Sequence, residues 1–174
     1  MLEWKYLWSE PFQSRCVLAA NWLKDCPTIV EIGGYKTPIS QFVSQDKIVY
    51  ALDPRTEESH VGNFHHLNIP FQDWNQKPEG VYGVVILGIE LHLEERDWQK
   101  VYDLIESAQI VVIEVPLEHC HSVNQFARIL ENTKKKIACR VTLDLSDNDY
   151  ELVDSAPPKC IRQMNLLRGC TVNG

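Results

Sequence analysis

Short runs of consecutive apolar residues alternate along this chain with segments whose apolar positions recur every three or four residues. The runs at 28–32, 47–53, 65–69, 81–87, 109–115, 137–143 and 160–167 predict strands. The helical pattern is clearest in Trp98, Val101, Tyr102 and Ile105, and it repeats in Val123, Phe126, Ala127 and Leu130. An earlier helix carries Phe12, Cys16, Ala19, Ala20 and Leu23. Ser9-Glu10-Pro11 supplies its start, and Asp25-Cys26-Pro27 its end, because a residue before proline is pushed out of the α region. Thr37-Pro38 opens a short helix through Phe42 and Val43. Ser122 and Gln125 have the spacing of a capping box for the last helix, and Lys134, Lys135 and Lys136 suit its C-terminal dipole.

Strands that are apolar throughout, rather than alternating, predict a parallel sheet covered by helices on both faces. The crossovers should be right-handed. The final two strands are separated by a polar, proline-containing stretch at 146–158 instead of a helix, so the last strand is expected to insert antiparallel. The chain divides into an N-terminal arm and helix (1–27), a core sheet (28–167) and a short tail (168–174), read together as a single domain.

Val30-Glu31-Ile32-Gly33-Gly34, followed by Tyr50-Ala51-Leu52-Asp53, is the most informative unit. In open α/β sheets, ligands bind beyond the carboxyl ends of the strands where strand order reverses. Glycines there let the backbone approach a ligand that a Cβ would exclude. An acid at the end of the next strand, about 20 residues on, accepts both hydrogen bonds of a ribose diol. A dinucleotide would need further glycines, yet Tyr35-Lys36-Thr37-Pro38 follows, and no Walker lysine pattern is present. A ligand with ribose and adenine but no phosphate fits better.

The order of these elements resembles the class I S-adenosylmethionine-dependent methyltransferases. Val30-Glu31-Ile32-Gly33-Gly34 resembles that family's first motif and Leu52-Asp53 its ribose-binding acid. The segment 84–93, with its Leu91-His92-Leu93 end, resembles the fourth-strand motif, and 111–116 the fifth strand. The resemblance implies a Rossmann-like three-layer sandwich whose mostly parallel, seven-stranded sheet has its last strand antiparallel. It also implies S-adenosylmethionine as cofactor and methyl transfer to an acceptor. Glu31, Gly33 and Gly34 would approach the methionine part. Asp53 would hold the ribose hydroxyls, with Pro54 and Arg55 near the adenine and Asn68 and Ile69 flanking it. Leu87, Gly88 and Ile89 would line the sulfonium side. His92 and Glu90 are the nearest candidates for a base. Tyr35-Lys36-Thr37 stands where the family has a third glycine. A non-catalytic binding or scaffold protein and another nucleotide-dependent Rossmann-like enzyme are the competing readings.

Composition changes this picture little. A net charge of −7 opposes a dedicated nucleic-acid grip, which needs a basic surface. No apolar stretch approaches the ~20 residues that span a bilayer, and no secretory leader is read at the start of the sequence. The six cysteines contain no CxxC pair, which favours reduced thiols and a cytoplasmic protein. Glu90, Glu114 and His119 follow the fourth and fifth strands. They are read as capping acids and a solvated histidine ahead of a divalent-metal site. His119-Cys120-His121 makes a poor tetrahedral zinc site. Trp4, Tyr6 and Trp8 read as packing for the N-terminal arm.

Overall fold

Helices and turns return the chain to the same end of one sheet again and again. The computed structural model describes residues 10–34, 38–89, 91–144 and 161–169. Eight strands form within them: β1 (Thr28–Ile32), β2 (Ile48–Leu52), β3 (Ser59–Val61), β4 (Phe64–Leu67), β5 (Tyr82–Ile86), β6 (Ile110–Pro116), β7 (Lys135–Asp144) and β8 (Ile161–Gly169). Their order across the sheet is β3-β4-β2-β1-β5-β6-β8-β7. β1 pairs in parallel with β2 and β5, β2 with β4, and β5 with β6. β8 enters antiparallel between β6 and β7, as the missing crossover helix predicted.

Every residue of β1, β5 and β6 is buried, because each strand has a covered layer on both faces. Alternation along each strand splits the core in two. Val30, Ile32, Val84, Ile86, Val111 and Ile113 pack with Trp98, Val101 and Ile105 of helix α2 (Trp98–Ser107) and with Phe126 and Ile129 of helix α3 (Cys120–Asn132). Ile29, Val85, Ile110 and Val112 share the opposite layer with Ala19 and Leu23, within and just after helix α1 (Glu10–Trp22). Each such fully buried aliphatic side chain contributes roughly 1.5–3 kcal/mol.

Four expectations need correction. The sheet has eight strands, not seven. The added one is β3, which folds back on β4 through the two residues Gly62 and Asn63. Gly62 takes φ 59°, the left-handed value such tight hairpins require at their first central position. The buried face of α3 is Ser122, Gln125, Phe126 and Ile129, while Val123 is exposed. Ser122 therefore lies inside the helix, His119 occupies the cap position, and no capping box forms. Lys135 and Lys136 belong to β7, and the Lys135 ammonium donates to the Ala108 carbonyl, at the end of α2 rather than α3.

Cys16 and Cys26 are buried free thiols, and burial pushes Cys16 up to about 12, well out of reach of ionisation at neutral pH. Cys120 is free and exposed, and Cys139 is free and half-buried. No helix among the described residues is long and apolar enough to cross a membrane.

Candidate functional site

The chain passes from β1 outward through β2 to β4 and then returns to β5 on the other side of β1. The order of strands therefore reverses between the carboxyl ends of β1 and β5. Both ends finish in glycine. Gly33 follows β1 with φ 88°, and its N–H donates to the Leu52 carbonyl at 2.9 Å, one step beyond the β1–β2 ladder. Gly88 follows β5 with φ 73°. The next residue, Ile89, is buried and donates its N–H to the Glu114 carbonyl of β6 at 3.0 Å. Nothing lies within 4 Å of the position a Cβ would take on either glycine. The crevice at the switch point is thus edged by bare backbone on both sides.

Glu31 supports this loop from below. It is fully buried, and its Oε2 accepts the Ile39 N–H at 2.9 Å, tying the far end of the glycine segment to β1. Gly34 sits directly over it, and a Cβ there would collide with the Glu31 carboxyl. Burial pushes the Glu31 carboxyl up to about 8. The Ile39 hydrogen bond and Arg15 oppose that shift, and Asp53 adds to it. At neutral pH the group is largely protonated.

Asp53 stands immediately after β2, with 2% of its surface exposed, and its N–H bonds the Leu67 carbonyl at 3.2 Å. Both carboxylate oxygens are engaged by one neighbour. Oδ1 accepts the Arg55 N–H at 2.8 Å and Arg55 Nε at 3.1 Å, and Oδ2 accepts Arg55 Nη2 at 3.0 Å. The Arg55 side chain as a whole is 66% exposed. A diol approaching Asp53 would have to displace this fork. Pro54 and Asn68 are exposed, and Ile69 is half-buried just past β4. The expected adenine neighbours therefore lie along the same edge as Asp53.

On the β5 side, Leu87 and Gly88 are half-buried. Glu90 lies outside the described residues. His92 is exposed and lines a cavity of about 580 Å³ with Leu91, Trp98, His121, Gln125 and Arg128. Gln125 fixes the chain there. Its Oε1 accepts the Leu91 N–H at 2.9 Å, and its Nε2 donates to the Leu91 carbonyl at 2.7 Å. Arg128 lies 4.5 Å from the centre of the Trp98 ring and pairs with Glu95.

The sequence reading missed a buried ion network beside the crevice. Glu114, at 0% exposure, accepts Nη1 of Arg15 from α1 and faces Arg162 Nε of β8 at 3.1 Å; Arg162 also pairs with Glu118. The available signal was a carboxylate inside an otherwise apolar strand, since such a charge is retained only with a partner. Glu114 is thus committed to arginines and His119 is exposed at the cap of α3. Among the described residues no three histidine, cysteine or acidic groups come together as a metal site.

No family model and no curated protein matches the chain in sequence. Solved structures do match in three dimensions. One is the 1,6-didemethyltoxoflavin-N1-methyltransferase of Burkholderia thailandensis, solved with S-adenosylhomocysteine (TM-score 0.65, 11% identity, 95% of this chain and 80% of that one). Another is the precorrin-6y C5,15-methyltransferase of Geobacter metallireducens (TM-score 0.58, 10% identity, 97% and 92%). A third is a SAM-dependent O-methyltransferase of Thermotoga maritima (TM-score 0.56, 8% identity, 92% and 66%). At these identities the likeness is one of fold. The chain has the class I S-adenosylmethionine-dependent methyltransferase fold.

Proposed function

We infer that this chain binds S-adenosylmethionine at the switch-point crevice and transfers its methyl group to an acceptor. The observation that carries this reading is the pair of open, left-handed glycines, Gly33 and Gly88, on adjacent strand ends with the buried Asp53 beside them. That arrangement fits a ligand with a ribose diol and close backbone contacts but no phosphate. When bound, the cofactor supplies an electrophilic methyl on a sulfonium.

Asp53 accepts the two ribose hydroxyls once Arg55 swings away from its carboxylate. Gly33 and Gly34 offer backbone to the methionine part, with Glu31 bracing the turn. Asn68, Ile69 and Pro54 flank the adenine. Leu87, Gly88 and Ile89 line the sulfonium side. Transfer is an in-line displacement, so proximity and alignment supply most of the acceleration. His92, exposed at the cavity that follows β5, is the acid-base or acceptor-orienting group, with Glu90 as the second candidate. The free cysteines suit a cytoplasmic location.

A non-catalytic binder on the same fold is the second reading. It is favoured by the Arg55 fork on Asp53 and by Tyr35-Lys36-Thr37 in place of a third glycine. Transfer of a labelled methyl from S-adenosylmethionine to small-molecule, peptide or RNA pools separates the two. Once an acceptor is found, His92→Ala should lower turnover by roughly a hundredfold, with cofactor affinity and melting temperature near wild type. Parallel losses of stability and activity would instead make His92 a packing residue. Tight cofactor binding with no methylated product from any pool would favour the non-catalytic reading.

A further inference from the structure

At the outer edge of the sheet, two strands away from β1, the β3–β4 hairpin places His60 directly opposite His65. Their Nδ1 atoms are 3.0 Å apart, with ring centres 5.2 Å apart and planes inclined at 58°. His60 Nε2 lies 3.5 Å from a Glu58 carboxylate oxygen. His65 stacks on Tyr50, with centres 5.1 Å apart and planes 19° from parallel. His60 is exposed and His65 half-buried, so solvent ions reach the pair. His66, the next residue, is engaged separately by Ser40 Oγ at 2.8 Å and Ser59 Oγ at 3.3 Å.

We propose that His60 and His65 form a binding site for a divalent transition-metal ion, held by the two Nδ1 atoms with water completing its shell. A neutral imidazole has one N–H and one lone pair. With its proton on Nε2, the nitrogen on the Glu58 side, His60 presents its Nδ1 lone pair toward His65. A carboxylate on the outer nitrogen is also the usual support for a metal-binding histidine. The Tyr50 ring stacks on His65 and limits its rotation, so only small turns of the two rings are needed to aim both lone pairs at one ion.

The spacing also selects the ion. With metal–nitrogen bonds of about 2.0–2.1 Å, donors 3.0 Å apart subtend roughly 94°. That is the cis angle of square-planar or octahedral coordination and too narrow for a tetrahedron. Nickel(II) and copper(II) prefer such geometry with nitrogen and oxygen donors. Binding exchanges two metal-bound waters for two imidazole nitrogens. The proton on His65 Nδ1 moves to its Nε2 through solvent, and the protein's charge is otherwise unchanged. Bridging both strands would clamp the hairpin and raise the melting temperature by linkage.

Calorimetric titration of the full, untagged chain with nickel(II) chloride tests this. One ion per chain should bind. His60→Ala and His65→Ala should each weaken binding by about tenfold or more, while a His119→Ala/His121→Ala double variant should bind as wild type does. Copper(II) added to the unaltered chain gives a check that needs no variant: its electron paramagnetic resonance spectrum should carry coupling to two imidazole nitrogens. Absence of saturable nickel binding, indifference to His60→Ala and His65→Ala, loss of binding in the double variant, or an oxygen-only copper spectrum would each overturn the assignment. None of these readouts depends on the methyltransferase reading.

Discussion

Glu114→Ala is expected to destabilise the fold by about 3–5 kcal/mol, the cost of breaking a buried ion pair by removing one member. Glu114 has no exposed surface, and it is the carboxylate between Arg15 and Arg162. Arg162 keeps Glu118 after the substitution. Arg15, with a side chain only 7% exposed, loses the carboxylate it donates to. Neither guanidinium can shed its charge, because arginine does not deprotonate in proteins. In a domain of this size the loss should lower the melting temperature by roughly 6–20 °C. Glu114→Gln preserves shape and one acceptor and should cost less. Denaturant unfolding of the three proteins decides it. A Glu114→Ala unfolding free energy within about 1 kcal/mol of wild type would mean that the network does not hold α1 and β8 to β6.

The second large effect concerns Glu31. Its carboxyl is raised from 4.5 to about 8 in the folded state by burial. The folded protein therefore holds a proton that the unfolded chain releases near 4.5. Between those values the folded state binds more protons, so stability falls as pH rises through that window. The contribution is fully present below the lower value and is lost as pH passes the upper one. A shift of this size corresponds to about 3–5 kcal/mol across the window. Glu31→Gln keeps an acceptor for the Ile39 N–H and cannot ionise, so its stability profile should be flatter between pH 5 and 8 by on the order of that amount. Parallel wild-type and Glu31→Gln profiles over that range would contradict the assignment of this titration to Glu31.

Both effects trace to a pattern in the amino-acid sequence itself. Glu31 and Glu114 each interrupt a continuous apolar strand, and a buried carboxylate requires a partner or a proton. What the sequence does not contain is the partner. Arg15 and Glu114 are 99 residues apart, and only the packing of α1 across the sheet brings them together. The strand pattern was legible because β1, β5 and β6 are buried on both faces and so carry no polar alternation. β3 was not, since Ser59-His60-Val61 is short, largely exposed and has little apolar signal; only its Gly62 turn marks it. The face of α3 was misplaced by one residue, because polar Ser122 and Gln125 are buried while Val123 is exposed.

In the candidate site, Gly33 and Asp53 were legible from spacing, since parallel pairing of β1 with β2 brings their carboxyl ends together. The fork of Arg55 on Asp53 was not anticipated, although it is local: the residue two positions on folds back through its own backbone N–H. It also gives the cofactor reading a sharp consequence, because the diol and the guanidinium compete for the same two oxygens.

Calorimetric titration with S-adenosylhomocysteine shows whether a cofactor seats at the carboxyl ends of β1 and β5. The wild-type chain should bind one equivalent. Asp53→Ala should weaken binding by about 1–3 kcal/mol through lost hydrogen bonds, and Arg55→Ala should tighten it by freeing Asp53. No heat of binding from the wild type at millimolar ligand, or an affinity indifferent to Asp53→Ala, would contradict a cofactor seated at the switch point.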